Sequence, residues 1–179
     1  MAKTNHHRSI AHGRGNGATR SFDDPFALIE DQHDRVRLLF SAYDEGDLSA
    51  LGPLLDALAL HLAIEETLVY PLLLEGSLLA RGYESLTEHL SVKRLIADLI
   101  EGEPGDSAAF AARVRVLERQ VLEHFEEEER EVLPALERRL GADARRRLGR
   151  ELSAFMSELG EGGGDVALEL VLSTAALPP

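Results

Sequence analysis

HLAIEETLVYPLL at residues 61–73 and HFEEEEREVLPAL at residues 124–136 read to one pattern, H-x3-E-E-x2-V-x-P-x-L. A spacing of four puts His and Glu on the same helix face one turn apart, where both can reach one ion or two adjacent ions. Upstream and downstream of each His the apolar residues keep helical spacing. Leu54, Leu58, His61, Glu65, Leu68 and Leu72 form one inner stripe, and Leu117, Val121, His124, Glu128 and Val132 form the other. The second helix is expected from near Ser49 to Gly76, and the fourth from about Ser107 to Leu140.

Two further helices complete the set. Asp24-Pro25 is an N-cap followed by proline, and Phe26, Ile29, His33, Val36 and Phe40 then share a face. A third helix is expected from about Ser85 to Glu101, with Leu86, His89, Val92, Ile96 and Leu99 inward. His33 with Val36, Arg37 and Leu39 matches His89 with Val92, Lys93 and Leu95. The chain is therefore two similar αα-hairpins, each supplying one lone His and one H-x3-E. Strand signals are nearly absent. The fold class is all-α, an antiparallel up-down four-helix bundle with an additional C-terminal helix.

Composition divides the chain into four segments. Residues 1–21 form a basic tail expected to be disordered, with four Lys/Arg and no acid. Its His6, His7 and His12 lack preorganisation for a metal. Residues 22–141 form the bundle. Residues 142–160 form an Arg-rich helix whose Arg145, Arg146, Arg147 and Arg150 are expected to balance the Glu-rich fourth helix rather than hold a partner. Residues 161–179 are a Gly-rich linker and a tail or short helix.

Composition also narrows the chemistry. The 179 residues suit one domain with appendages. Cysteine is absent, which excludes disulfides, iron–sulfur clusters, thiolate zinc sites and thiol nucleophiles. A net charge of −13, with 19 Lys+Arg against 32 Asp+Glu, argues against a nucleic-acid partner. The tail has no apolar stretch of a secretory signal, and no run of about 18 apolar residues stands out, so the chain is expected to be cytoplasmic without a membrane partner. Oligomeric state is not written in the sequence. His and carboxylate must carry any chemistry.

Four of the seven histidines lie on inner stripes, one per long helix, beside Glu65 and Glu128. A buried carboxylate must pair with a cation or take up a proton. A hydrogen-bonded polar core would leave the carboxylates a problem that a metal cluster solves for all six residues at once. Six nitrogen and oxygen ligands are too many for one tetrahedral zinc and suit two octahedral ions, with iron favoured over manganese or zinc. The symmetric assignment gives His33 and His61 to one ion and His89 and His124 to the other, with Glu65 and Glu128 bridging. Four His, two bridging Glu and an oxo or hydroxo bridge leave about two of twelve positions open for small ligands. A ferritin-like site would need Glu-x-x-His twice. Glu30 to His33 fits, but Leu58, Leu86 and Val121 stand where other copies would place Glu.

These residues resemble the hemerythrin-like family, the HHE cation-binding domains, over roughly residues 25–140. The resemblance implies a four-helix bundle holding two Fe ions per chain, oxo- or hydroxo-bridged, that reacts with dioxygen, peroxide or nitric oxide. By position, His33, His61, Glu65, His89, His124 and Glu128 match the family's metal ligands. Oxygen-carrying members have a fifth His one turn after the third-helix His, where this chain has Lys93. They also place the last carboxylate five residues after its His, so Glu129 competes with Glu128, which the internal repeat favours. Tyr70 could supply the absent donor; Leu133 stands at the equivalent repeat position. Four-His members look more like peroxide-destroying or sensing proteins than oxygen carriers. The resulting expectation is a catalase-like peroxide-decomposing protein, with a non-catalytic iron, oxygen or nitric oxide sensor as the alternative and a metal-free helical interaction protein third.

Overall fold

The computed structural model describes residues 24–102, 108–161 and 164–175. The tail expected to be disordered, with His6, His7 and His12, lies outside them. Helix α1 (Pro25–Asp44) starts where the sequence places it, with the Asp24 carboxylate accepting from the Phe26 amide at 3.2 Å. Helix α2 (Leu51–Ile64) runs through a wide turn at Glu65–Val69 into α3 (Tyr70–Leu73). Helix α4 (Leu79–Glu101) is the third long element. Helix α5 (Ala108–Glu127) runs through a second wide turn, Glu128–Val132, into α6 (Leu133–Arg139). The last two helices are α7 (Ala142–Glu161) and α8 (Gly164–Ala175). No strand occurs among the described residues.

The two wide turns are π-helical, and the repeat explains them. The Tyr70 amide donates to the Glu65 carbonyl, and the Leu133 amide to the Glu128 carbonyl, each five residues back instead of four. Pro71 and Pro134 come immediately after. A proline in mid-helix has no N–H and its ring crowds the carbonyl of the preceding turn, so widening that turn relieves the conflict. The extra residue also rotates the helix beyond it. Val69, Tyr70 and Leu73 are buried, while Leu68 and Leu72, expected on the inner stripe, are only half-buried.

Two other expectations change. The third long helix begins at Leu79, six residues before Ser85, because Arg81 and Gly82 serve tertiary contacts rather than a loop. Arg81 pairs with Glu127 and Glu131 on the fourth long helix, its partner in the second hairpin. A Cβ at Gly82 would sit 3.0 Å from Leu73 and Leu74 side-chain carbons, so glycine permits α3 and α4 to approach. The Leu48–Leu73 stretch is also long and apolar enough, by length and composition, to cross a membrane. Its apolarity belongs to a core helix: α2 packs against α1, α7 and α8, and Leu54, Leu58, Leu62 and Ile64 are buried there.

The interior has two apolar clusters. One gathers Val36, Phe40, Leu58, Val92, Ile96, Leu117, Val121 and Phe125; the other gathers Phe26, Ile29, Ile64, Val69, Tyr70, Leu73, Val132 and Leu136. Along each long helix the inward polar residues fall between residues of the first cluster and residues of the second. Helix α7 lays Leu148 and Leu152 onto the second cluster, and Arg145 reaches Glu137 at 2.9 Å and Asp24 at 3.4 Å. Arg146 pairs with Asp143 of its own helix. Helix α8 inserts Ala167 and Val171 into the first cluster against α2 and α4. Helix α8 is thus part of the bundle core.

A charge at that contact should be costly. Val171→Asp is expected to remove about 2–4 kcal/mol of stability and to lower Tm by roughly 5 °C or more, read by circular dichroism on the metal-free chain. Wild-type melting would mean that α8 does not support the core.

Candidate metal centre

Helices α1, α2, α4 and α5 each turn one histidine inward at the same level of the bundle. His33, His61, His89 and His124 are all buried, as are Glu65 and Glu128 at 0% and 1% exposure. His33 and His61 lie edge to face with ring centroids 4.9 Å apart, and His89 and His124 likewise at 4.9 Å. The carboxylates span the two pairs. Glu65 Oε2 lies 3.2 Å from His61 Nε2, 3.3 Å from His89 Nε2 and 4.0 Å from His124 Nε2. Glu128 Oε2 lies 3.4 Å from His33 Nε2 and 3.6 Å from His124 Nε2. Two overlapping groups could hold a metal ion: His61, Glu65, His89 and His124, and His33, His61, Glu65 and Glu128.

Each of these four histidines has a partner outside the cluster for its other nitrogen. His33 Nδ1 is 2.8 Å from Glu129 Oε1, and His89 Nδ1 is 3.2 Å from Glu66 Oε1. His61 Nδ1 is 3.1 Å from Gln32 Oε1, and His124 Nδ1 is 2.8 Å from Glu88 Oε2. An oxygen that can only accept makes each Nδ1 a donor, so Nε2 is the nitrogen that each ring turns to the interior and can offer to a cation. This outer layer keeps the twofold repeat. Each lone His donates to the second Glu of the H-x3-E-E on the opposite hairpin. That Glu in turn pairs with the cation one turn after the lone His: Arg37 with Glu129 at 2.9 Å, Lys93 with Glu66 at 2.6 Å. Lys93, one turn after His89, is buried and faces outward from the cluster to Glu66.

The electrostatics demand positive charge. Burial would raise the Glu65 pKa, but His61, His124 and His89 around it hold it well below the ordinary value. Burial pushes His61 down, a shift that Glu65 only partly offsets. For His33 and His124 burial acts downward too, yet the facing carboxylates outweigh it and raise both, His124 strongly. His33 Nε2, His61 Nε2, both Glu65 oxygens and Glu128 Oε2 are buried without a hydrogen-bond partner. Such orphans cost roughly 1–3 kcal/mol each in a protein interior, more when charged, and a cation between them meets every one. The donor set is nitrogen and oxygen only, which fits iron.

A model described as the hemerythrin HHE cation-binding domain matches residues 24–136. The chain belongs to the hemerythrin HHE family. Comparison with curated proteins and with solved structures gave no match. Membership of this family makes the chain a cation-binding module of the iron- and oxygen-binding kind, and the buried His/Glu cluster is where such a hemerythrin domain would hold metal.

The structure brings all six sequence-predicted residues into one cluster and adds Tyr70. The π turn swings this tyrosine inward, placing its hydroxyl 2.6 Å from His89 Nε2, 3.3 Å from His124 Nε2 and 3.0 Å from Glu128 Oε1. Burial and the Glu128 and Glu65 carboxylates push its pKa well up, so in the metal-free cluster the phenol keeps its proton. Glu129, the rival of Glu128, is 31% exposed and serves the outer face of His33 instead. Sequence reading missed the outer layer of Gln32, Glu66 and Glu88, although positions 32 and 88 share a signal: each directly precedes a lone His. It also missed Phe125, whose ring stacks on His33 at 3.8 Å between centroids and meets His61 edge-on at 5.0 Å.

Metal removal tests the demand for charge. Ferrous or cobaltous ion at a thousandfold excess over Kd adds about 4 kcal/mol to a folded state that alone binds it, so Tm should rise by roughly 10 °C over a chelated control. Equal melting with and without metal would mark the cluster as a self-contained polar core.

Proposed function

We propose that this chain is a non-haem di-iron protein that decomposes peroxide and also meets dioxygen and nitric oxide at the same centre. His33 and His61 would hold one iron, His89 and His124 the other, and Glu65 and Glu128 would reach both. The observation that carries this reading is the joint aim of four Nε2 atoms and two carboxylates into one buried space, each imidazole fixed from outside by an acceptor on its Nδ1. When bound, iron supplies two adjacent Lewis-acidic centres that can together give or take two electrons.

The reaction balances without an outside reductant. One peroxide accepts two electrons and two protons to give two waters, and a second gives up two electrons and two protons as dioxygen. The chain's own residues position and insulate this exchange. Phe125, stacked on His33 and edge-on to His61, and the two apolar clusters cover the buried side of the imidazoles, which strengthens the electrostatic contacts inside. Tyr70, between Glu128 and the His89–His124 pair, holds a proton within reach of a carboxylate at 3.0 Å. The same hydroxyl is the natural further donor at that position, a role that Lys93, turned to Glu66, does not take.

Metal analysis of the purified chain should find about two irons, with a visible absorption of a ferric pair. The iron-loaded chain should release oxygen from peroxide, an activity lost in His61→Ala and Glu128→Ala. Tyr70→Phe should keep the iron and change the visible spectrum. No oxygen above a free-iron control would sink the peroxide reaction.

A sensing role has one observation in its favour. Helix α8 packs on α2, the helix that carries His61. Limited proteolysis with and without iron separates the two readings, because a sensor should change its cleavage near residues 161–164 and a plain catalyst should not.

A further inference from the structure

The outer layer repeats between the two halves in one pair of contacts and departs from symmetry in the other. Glu129 with Arg37 behind His33 corresponds to Glu66 with Lys93 behind His89, so each carboxylate is offset by a neighbouring cation. The second pair differs in charge. His61 donates to the neutral amide of Gln32, whereas His124 donates to the carboxylate of Glu88 at 2.8 Å. Residues 32 and 88 hold the same place in the repeat, immediately before His33 and His89. Tyr70 adds a second asymmetry on the same side: its hydroxyl touches His89 and His124, and the equivalent Leu133 offers no polar group.

A carboxylate behind an imidazole pulls on the Nδ1 proton, enriches the opposite nitrogen in electrons and sets a negative charge near the cation. An amide oxygen does the first weakly and the last not at all. Glu88 is 43% exposed, which moderates its field without removing the hydrogen bond. Beside it a surface cavity of about 380 Å³, lined among others by Glu88, Glu123, Glu127 and His124, opens on this side of the bundle. Its carboxylates raise the local concentration of cations next to His124.

We infer that the two metal positions are unequal: the one framed by His89 and His124 fills first and holds its ion more tightly, with Glu88 as the positioning residue that sets the order. This rests on the two-metal reading of the cluster. Glu88 touches neither ion and acts through His124. The amide at position 32 leaves the His33–His61 ion as the more weakly held of the two.

Cobaltous ion titrated into the metal-free chain, followed by its visible bands and by calorimetry, tests the order. The wild-type chain should take up two equivalents in two resolved steps. Glu88→Gln, an isosteric change at a half-exposed site, should weaken the tighter step by about 10- to 100-fold and leave the weaker one in place. Gln32→Glu should tighten the weaker step by a similar factor and draw the two together. Melting curves of the metal-free variants check that each is folded. Two equal steps in the wild-type chain, a Glu88→Gln effect confined to the weaker step, or no effect of either variant would overturn the inference. Uptake of one equivalent or none in the wild-type chain would instead overturn the two-metal reading itself, and that result is visible before any variant is made.

Discussion

Two carboxylates, Glu65 and Glu128, are buried at the centre of a helical bundle, and the rest of the molecule is arranged around the cost of keeping them there. An isolated carboxylate in a protein interior is far too costly to leave uncompensated. Here each faces imidazoles from both hairpins, Glu128 also accepts from the Tyr70 hydroxyl, and apolar side chains lie on either side of the cluster. A cation is the natural completion of that arrangement. Membership of the hemerythrin HHE family says the same thing from an independent direction.

Around that constraint the protein builds outward in a layer that is nearly as ordered as the inner one. Nδ1 of every histidine in the cluster meets a fixed oxygen, and two of the carboxylates that supply them, Glu129 and Glu66, are themselves held by Arg37 and Lys93. This fixes ring orientation and tautomer before any metal arrives, which spares the site the entropy of ordering four side chains on binding. Departures from the twofold pattern, Glu88 against Gln32 and Tyr70 against Leu133, both fall beside the His89–His124 pair. They give an otherwise symmetric cluster a direction.

Much of this was legible in the linear chain because helical periodicity and ligand spacing are local. The four lone or paired histidines could be placed on inner stripes by counting residues, and the H-x3-E repeat tied Glu65 and Glu128 to them. Tyr70 was legible only as a candidate. Straight-helix counting put Leu68 and Leu72 inward in place of Val69 and Tyr70, because it assumed one hydrogen-bond register through Pro71. The early start of α4 was hidden for a related reason. Gly82 reads as a breaker in isolation, whereas its lack of a side chain serves the close approach of Leu73 and Leu74.

By itself the sequence determined the all-α class, the two-hairpin repeat, and the nitrogen and oxygen character of the site. These depend on residue type and on spacings within a single turn. Only the tertiary structure decided which atoms meet. Lys93 turns out to Glu66, Glu129 serves the outer face of His33, α8 enters the core through Ala167 and Val171, and Glu88 and Gln32 stand behind corresponding histidines. Each of these contacts joins residues from different helices, and their partners are set by how the helices cross and by the extra residue in each π turn. No periodicity along one helix carries that information.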